Sequence, residues 1–284
     1  MTVDIICPLY DAKKYIKNLQ KSFEIQKDVD INNIRYVVTN TNDNIEESLQ
    51  NMNCVYTKIE KNDFSHSLTR EKEAYSSNAD IIVFVTQDVI IKSNMWLYNL
   101  VKPIENGECE ATYSRQLCEN NTIEKYTREK NYPEESYVVS KKDLQTLGLR
   151  TFFFSDAAGA VKRDVFIKLK GYDGKRLPIS EDMYFAYKLI MNDYKIKYCA
   201  DSEVIHSHKF TWKQLYKRYY DTGKFFKQNS YLDEYGTNGT GANLAKYILK
   251  RALKDKNVKV LLDFVPNMSA RFVGMKMGKM KNES

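Results

Sequence analysis

Short apolar segments alternate with amphipathic helical segments along the first hundred residues of the chain. Four apolar runs have the length and composition of buried strands, and helical spacing of apolar residues follows each of them. The runs lie at residues 3–7, 34–38, 55–59 and 81–85. Strands that alternate with helices form right-handed βαβ units. The pattern therefore predicts an α/β fold with a mainly parallel sheet flanked by helices.

The alternating pattern weakens after residue 109. Residues 115–150 are polar, charged and rich in tyrosine, and we expect a long excursion over the active-site face. Helical spacing returns at 181–191 and 211–229, and a basic amphipathic helix is predicted from residue 242. The tail from residue 272 is expected to fray. We therefore predict a main domain over residues 1–210 and a basic helical extension over residues 211–284.

The cysteines and the hydropathy of the chain exclude several protein classes. Five cysteines are scattered without a CxxC pair, so neither a disulfide framework nor a zinc site is expected. No run approaches about 18 apolar residues, which excludes a transmembrane helix. The first strand begins by residue 3, so we expect no signal peptide. These features are typical of a reduced, cytoplasmic protein.

The net charge of +7 is concentrated at the carboxyl end. Residues 209–284 contain 16 basic and 6 acidic residues, whereas residues 1–208 contain 28 basic and 31 acidic ones. Such asymmetry indicates an anionic partner, either a membrane or nucleic acid, and a solvated helical face is the alternative. The extension lacks the signatures of RRM, KH and zinc-knuckle modules, so we expect no nucleic-acid partner.

Cations and apolar side chains are interleaved in this extension, as in a helix that lies at an anionic membrane surface. The cations are Lys246, Lys250, Arg251, Lys254, Lys256 and Lys259, and the apolar residues are Leu244, Ile248, Leu249, Leu253 and Leu261. We therefore expect peripheral contact with the anionic inner leaflet of a membrane. A homodimer contact through the same extension is left open.

Polar residues follow three of the predicted strands and mark a candidate ligand site. Ligands of open parallel sheets bind outside the carboxyl ends of the strands, where residues 8–10, 39–43 and 87–88 are placed. Because the chain has neither a GxGxxG nor a GxxxxGK[ST] segment, a divalent cation is the expected means of holding a pyrophosphate. Asp88 offers an oxygen ligand for such a cation, and a helix cap or turn residue is the alternative.

Two further segments carry candidate chemistry. Glu181 and Asp182 begin a predicted helix, where acids are also favoured by the helix dipole alone. His206 and His208 are predicted to alternate on a strand, so that both face one side and reach one cation or one pyrophosphate. Transfer of a sugar from a nucleotide diphosphate needs one carboxylate that binds a cation and another that takes a proton. An imidazole late in the sequence suits the same reaction.

Taken together and in order, the segments resemble the family 2 inverting glycosyltransferases of the GT-A fold. The similarity is greatest to bacterial rhamnosyltransferases that use dTDP-rhamnose, and it extends over about residues 3–228. The segments that carry it are IICPLYDAKKYIKNLQKS, FSHSLTREKEAYSSNADIIVFVTQDV, FFFSDAAGAVKRDVFIKLKGYD, ISEDMYFAYKL and VIHSHKFTWKQLYKRYYDTGKFF. The resemblance implies a Rossmann-like GT-A sheet, with the helical extension after it.

The resemblance also implies roles for residues on the donor side. Asp88 matches the cation ligand of the family's DxD pair, and His206 or His208 matches its late histidine. Mg²⁺ or Mn²⁺ is the implied cofactor. The implied nucleotide-sugar-binding residues are Pro8, Tyr10, Thr39, Asp43, Arg70, Gln87 and Asp88.

On the acceptor side, Asp182 matches the general base of the family's ED motif, with Glu181 as its neighbour. Ser155 and Asp156 stand where acceptor contacts are expected. The implied reaction is inverting transfer of rhamnose to a lipid-linked or growing surface polysaccharide, at the inner face of the cell membrane. Thr39 or Asn40 stands in place of the acid that relatives carry after the second strand. The alternative is therefore a catalytically silent module that binds glycans or membranes.

Overall fold

The computed structural model describes residues 1–41, 43–236 and 238–280. One eight-stranded sheet forms the centre of the molecule, with the strand order β3-β2-β1-β4-β7-β5-β8-β6. Six strands run in one direction, and β6 and β7 run antiparallel to their neighbours. The strands are β1 (Thr2–Leu9), β2 (Asp30–Thr39), β3 (Tyr56–Ile59), β4 (Ile81–Val85), β5 (Ala111–Leu117), β6 (Tyr137–Val139), β7 (Ala158–Lys162) and β8 (Ile196–Ile205). The predicted mainly parallel sheet is confirmed.

Helices flank this sheet and continue beyond its last strand. The longest of them close the chain, whereas those between strands are mostly of seven to twelve residues. The helices are α1 (Lys13–Glu24), α2 (Ile45–Asn51), α3 (His66–Ser76), α4 (Trp96–Glu105), α5 (Ile123–Asn131), α6 (Leu144–Leu147), α7 (Arg163–Lys168), α8 (Glu181–Met191), α9 (Trp212–Gln228), α10 (Asn238–Lys254) and α11 (Val258–Met280). None of the helices in the described ranges combines the length and apolar content that a membrane-spanning helix requires.

The strands that were predicted from apolar runs lie at the centre of the core. All five residues of β4 are buried, and β1 is buried from Val3 to Leu9. A strand covered on both faces needs a nearly continuous apolar run, which is the pattern that the sequence displays. The helix after β3 begins where Ser65 accepts a hydrogen bond from the Leu68 amide at 3.3 Å, as an N-cap does. These elements place the carboxyl ends of β1, β2 and β4 at one edge.

The expectation of an irregular excursion over residues 115–150 is wrong. The segment continues β5 and then forms α5 and β6. Ile123 and Tyr126 of α5 are buried against Ile248, Ala252 and Val260 of the last two helices. The regular structure of this segment therefore depends on contacts with residues more than a hundred positions away. Such contacts cannot be predicted from the short-range periodicity of the sequence.

The last helix packs tightly on α9 and does not fray. A Cβ atom at Gly278 would overlap the Tyr220 carbonyl oxygen, and one at Gly274 would lie 2.5 Å from the Tyr216 carbonyl oxygen. Only glycine permits so close an approach of two helix backbones. The expectation of a frayed tail is wrong up to Met280, and residues 281–284 lie outside the described residues. The division of the chain at residue 210 stays a prediction, although Phe225 of α9 is buried in the same core cluster as sheet residues.

Candidate active site

The predicted site segments meet at the carboxyl edge of the sheet. The side-chain amide of Gln87 binds the backbone of Tyr10 twice: its Oε1 accepts from the Tyr10 amide, and its Nε2 donates to the Tyr10 carbonyl, both at 2.7 Å. Asp43 accepts hydrogen bonds from the Lys13 amide at 3.2 Å and from the Thr41 hydroxyl at 2.8 Å. These bonds join the loops after β1, β2 and β4 into one crevice wall.

Pro8 and Thr39 are buried beneath this wall. Pro8 lies in β1 beside Val37 of β2, and Thr39 ends β2. The buried hydroxyl of Thr39 has no hydrogen-bond partner among the described residues, so its capacity to form a hydrogen bond is unused. Tyr10, by contrast, is exposed, and the Lys61 ammonium lies 5.6 Å from its ring centroid.

Asp88, His206 and His208 form a candidate cation site. The Asp88 carboxylate lies 3.5 Å from His206 Nε2 and 3.7 Å from His208 Nδ1, and the three potential ligand atoms lie within 4.8 Å of one another. The histidines were predicted to alternate on a strand, which is wrong, because β8 ends at Ile205 and both follow it. The two histidines lie near Asp88 because the end of β8 pairs with the loop that carries Asp88. In this pairing the Ile90 amide donates to the Ile205 carbonyl at 2.8 Å.

Gln116 orients the first of these histidines, and the sequence analysis did not identify it. Its Oε1 lies 2.8 Å from His206 Nδ1 and also accepts a hydrogen bond from Arg128. An amide oxygen can only accept, so His206 Nδ1 donates to it, and His206 Nε2 faces Asp88. Ligand imidazoles are commonly fixed in this way by a hydrogen bond on the other nitrogen. No local sequence pattern identified Gln116, because its role depends on contact with His206, 90 residues further along the chain.

The neighbouring groups set the protonation of this cluster. Burial alone would raise the pKa of Asp88, but the hydrogen bond from His206 and the two imidazoles lower it to about 2. Burial and the nearby His206 lower the pKa of the His208 imidazole to about 4. At neutral pH the cluster therefore offers an ionised carboxylate and a neutral His208 imidazole, both suited to bind a divalent cation.

A second cluster contains the acids that were predicted for catalysis and acceptor binding. Glu181 begins α8 and lies 3.3 Å from Nη1 of Arg70, a side chain that is almost fully buried. Asp156 is buried as well, and its Oδ2 accepts a 2.6 Å hydrogen bond from the Tyr172 hydroxyl. Asp182 is half-buried, and its Oδ1 accepts a 2.8 Å hydrogen bond from the Met183 amide. Arg70 therefore lies beneath the acids, paired with Glu181.

Burial and like charge raise the pKa values of this second cluster. Burial, followed by the negative charges of Glu181 and Asp156, raises the pKa of Asp182 well above its ordinary value. Burial also raises the pKa of Asp156 to about 7, although the positive charge of Arg70 opposes the shift. A carboxylate with a raised pKa is a stronger proton acceptor, as a general base near neutral pH must be.

The two clusters are linked through Ser155. Its hydroxyl accepts a 2.8 Å hydrogen bond from Gln116 Nε2, while Asp156 follows it directly in the chain. Ser155 and Asp156 are both buried. Ser155 therefore connects the Gln116 amide, which holds His206, with the acids around Asp182. A cavity of about 230 Å³ is lined by His208 together with Lys209, Lys259 and Arg271. The two linked clusters therefore combine a candidate cation site with a raised-pKa acid.

Comparisons with known proteins agree with this geometry. The model of the glycosyl transferase family 2 matches residues 4–170. The chain is 30% identical over 287 residues to the O-antigen chain rhamnosyltransferase RfbN of Salmonella typhimurium, with 98% of this chain and 90% of the relative covered. It is 32% identical over 242 residues to the O-antigen chain rhamnosyltransferase WbaN of Salmonella anatum, with 82% and 76% covered.

A solved structure shares the fold at lower sequence identity. The mannosyltransferase from Pyrobaculum calidifontis, in complex with GDP-Man and Mn²⁺, superposes with a TM-score of 0.62 at 13% identity, covering 97% of this chain and 84% of its own. This likeness supports the GT-A sheet and its helical continuation. Since the family model matches more than half of the chain and a curated relative aligns over nearly all of it, the chain is a glycosyltransferase that belongs to the glycosyl transferase family 2.

Proposed function

We propose that the protein is an inverting rhamnosyltransferase that moves rhamnose from dTDP-rhamnose onto a lipid-linked or growing surface polysaccharide. The observation that carries this proposal is the cluster of Asp88, His206 and His208, together with the raised-pKa carboxyl of Asp182 in the cluster that Ser155 links to it. The two O-antigen chain rhamnosyltransferases that align with the chain support the choice of sugar and of acceptor class.

Mg²⁺ or Mn²⁺ suits the donor side of the site. One carboxylate and two imidazoles are a suitable ligand set for Mn²⁺, and the protonation of His206 Nδ1 leaves its Nε2 free to bind. The structurally similar mannosyltransferase was solved with Mn²⁺, which supports the same choice. We assign the cation to Asp88, His206 and His208, where it would neutralise the negative charge of the diphosphate.

The residues at the carboxyl edge of the sheet suit the nucleotide. The exposed Tyr10 ring offers a stacking surface for the base, and the Gln87 clamp holds its backbone in place. The Thr39 hydroxyl and the Asp43 carboxylate lie in the same wall. We assign nucleotide-sugar binding to this surface. We include the buried Pro8 and Arg70 in the same assignment.

Asp182 is the proposed general base. Its Oδ1 is held by the Met183 amide, which leaves Oδ2 to take the proton of an acceptor hydroxyl. The acceptor oxygen then attacks the anomeric carbon from the face opposite the nucleotide diphosphate, which inverts the anomeric configuration. Arg70 holds Glu181 beside the base. Ser155 and Asp156 are the proposed acceptor contacts, since Asp156 Oδ1 has no partner among the described residues.

A lipid-linked acceptor would place the enzyme at the inner face of the cell membrane, as a cytoplasmic, peripheral protein. The alternative of a silent binding module rests on two departures from the family pattern: Thr39 or Asn40 stands in place of the acid after the second strand, and Thr86 or Gln87 in place of the first Asp of the DxD pair. The assembled cation cluster and the tuned base oppose it, because a pure binding module needs neither.

The proposal is tested by donor turnover. The purified chain is incubated with dTDP-rhamnose, UDP-GlcNAc or GDP-mannose, with Mg²⁺, with Mn²⁺ or with a chelator, and release of nucleoside diphosphate is measured. We expect cation-dependent release that is fastest with dTDP-rhamnose and faster still with a lipid-linked glycan acceptor. Faster release from another donor would refute the choice of sugar, and no release from any donor would refute the enzymatic assignment.

A further inference from the structure

The last helix, α11, buries several polar residues and exposes several large apolar ones. The face that packs against α9 carries Asn267, Arg271, Gly274 and Gly278, all of them buried. Arg271 binds the Asn267 side chain at 2.8 Å and donates to the Tyr219 hydroxyl at 2.9 Å. A helix at the surface of a water-soluble protein has the reverse arrangement.

The outer face of α11 is largely apolar, and the exposed Ser269 and Lys276 also lie on it. Leu262 is 77% exposed, Val265 67% and Phe272 70%. Their spacing, together with that of Val258 and Met280, keeps them on one side of the helix. At 1.5 Å per residue the 23 residues extend over roughly 34 Å. Exposed apolar surface of this length marks an interaction site.

The last two helices also carry an excess of positive charge. Residues 238–280 contain nine basic and two acidic residues, a net charge of +7. The exposed Lys246, Lys250 and Lys254 of α10 lie beside the exposed Leu249 and Leu253. An apolar face bordered by lysines is the arrangement of helices that lie in the plane of an anionic bilayer.

Tertiary packing changes which residues can form such a face. The sequence pattern predicted a face on α10 that includes Leu244 and Ile248, but Ile248 is fully buried and Leu244 packs in the same cluster against α5. Arg251 is paired with Glu129 at 3.2 Å. The prediction that Leu244, Ile248 and Arg251 belong to an exposed face of α10 is therefore wrong. The exposed apolar area lies mainly on α11.

We propose that the outer face of α11 is the surface through which the enzyme docks on an anionic lipid bilayer, with the lysines of α10 at the lipid head groups. A second copy of this chain is the less suitable occupant, because self-association would bring two surfaces of charge +7 together. An anionic leaflet supplies both the apolar medium and the complementary charge.

This surface is joined to the active site and so rests on the proposed function. The inner side of α11 contributes Lys259, Asn267 and Arg271 to the cavity of about 230 Å³ that His208 also lines. Trp212, exposed at the start of α9, donates to Asp263 of α11 at 2.6 Å and adds an aromatic side chain of the kind enriched at membrane interfaces. A protein docked on α11 would therefore hold this cavity close to the head groups of lipid-linked acceptors.

Vesicle sedimentation with the full chain tests the proposal. The vesicles contain phosphatidylcholine with or without phosphatidylglycerol, at low and at high salt. We expect binding only to the anionic vesicles, weakened by salt. Leu262→Glu should lower the affinity about tenfold, and Leu262→Glu with Phe272→Glu about 100-fold, because each charge removes an inserted side chain.

Val55→Glu is the matched control, since Val55 is also 77% exposed but lies before β3, outside the last three helices. It should bind vesicles as the unaltered chain does. Failure of the unaltered chain to bind anionic vesicles, equal binding by Leu262→Glu, or equal loss in Val55→Glu would overturn the proposal. So would a dimer, seen by light scattering, that Leu262→Glu dissociates.

Donor turnover in solution separates this proposal from the proposed function. The three variants should release nucleoside diphosphate from dTDP-rhamnose at the unaltered rate, because their positions lie outside the crevice. Vesicle binding without any donor turnover would refute the proposed reaction and leave the docking surface supported. Donor turnover without vesicle binding would refute the docking surface alone.

Discussion

Asp88 and Asp182 lie in two linked clusters and have opposite electrostatic surroundings. Burial acts on both in the same sense, since it raises the pKa of a carboxyl group. Two imidazoles beside Asp88 reverse that effect and lower its pKa to about 2. Two acids beside Asp182 add to it and raise its pKa well above the ordinary value. The neighbouring residues, more than the extent of burial, therefore decide which carboxyl group is suited to bind a cation and which is suited to accept a proton.

This difference in pKa suits the two roles that we propose for these carboxyl groups. A cation ligand must stay ionised throughout the reaction, whereas a base must bind a proton and release it again. Gln116 connects the two regions, because it binds His206 through its amide oxygen and Ser155 through its amide nitrogen. Three substitutions test the two roles separately.

The largest effect is expected from Asp182→Asn. The amide keeps the shape and the hydrogen bond from Met183 but cannot take a proton, so kcat should fall about 10³-fold. The KM for the donor should change little, because the nucleotide surface is left intact. Steady-state release of nucleoside diphosphate in the presence of acceptor measures both quantities.

Asp193→Asn is the control for this substitution, because Asp193 is exposed just beyond the end of the same helix. It should retain the unaltered rate. Turnover of Asp182→Asn at the unaltered rate would remove the assignment of the general base.

A smaller effect is expected from Asp88→Asn. Replacement of the ionised carboxylate should lower kcat about 10²-fold and raise the Mn²⁺ concentration needed for half-maximal rate. The rate as a function of Mn²⁺ concentration measures this. Asp201→Asn, an exposed position on β8, should show neither change. An unchanged Mn²⁺ requirement in Asp88→Asn would place the cation elsewhere.

The smallest effect is expected from Asp156→Asn, and it concerns pH. Asp182 works as a base only when ionised, so activity is lost as the pH falls through its raised pKa. Removal of the Asp156 charge lowers that pKa, so the acidic limb of the kcat profile should move to lower pH. The amide oxygen can still accept the Tyr172 hydroxyl, which favours an intact fold.

The profile of kcat from acidic to neutral pH measures the shift, and the thermal unfolding midpoint checks the fold. An acidic limb that stays in place, in a variant that unfolds at the unaltered temperature, would show that Asp156 does not act on the base.

Much of the fold and part of the site were predictable because they depend on local pattern. The apolar run of β4 and the periodic spacing of α8 identify those elements without any long-range information. Asp88 and Asp182 follow from them, since each stands at the end of a strand or the start of a helix that faces the crevice. Gln116 and Arg128 could not be found in this way, because Gln116 acts through contact with His206, 90 residues away, and Arg128 binds Gln116.

The sequence by itself determined the alternation of strands and helices, the order of the acid and imidazole segments, and the excess of positive charge after residue 209. The tertiary structure alone decided that the histidines meet Asp88 beyond the end of β8, which nitrogen of His206 carries the proton, and that α11 turns its apolar side outward. The physical reason is the range of the interactions. Strand and helix periodicity arise from neighbours along the chain, whereas pKa shifts, tautomers and exposed faces are set by residues that only folding brings together.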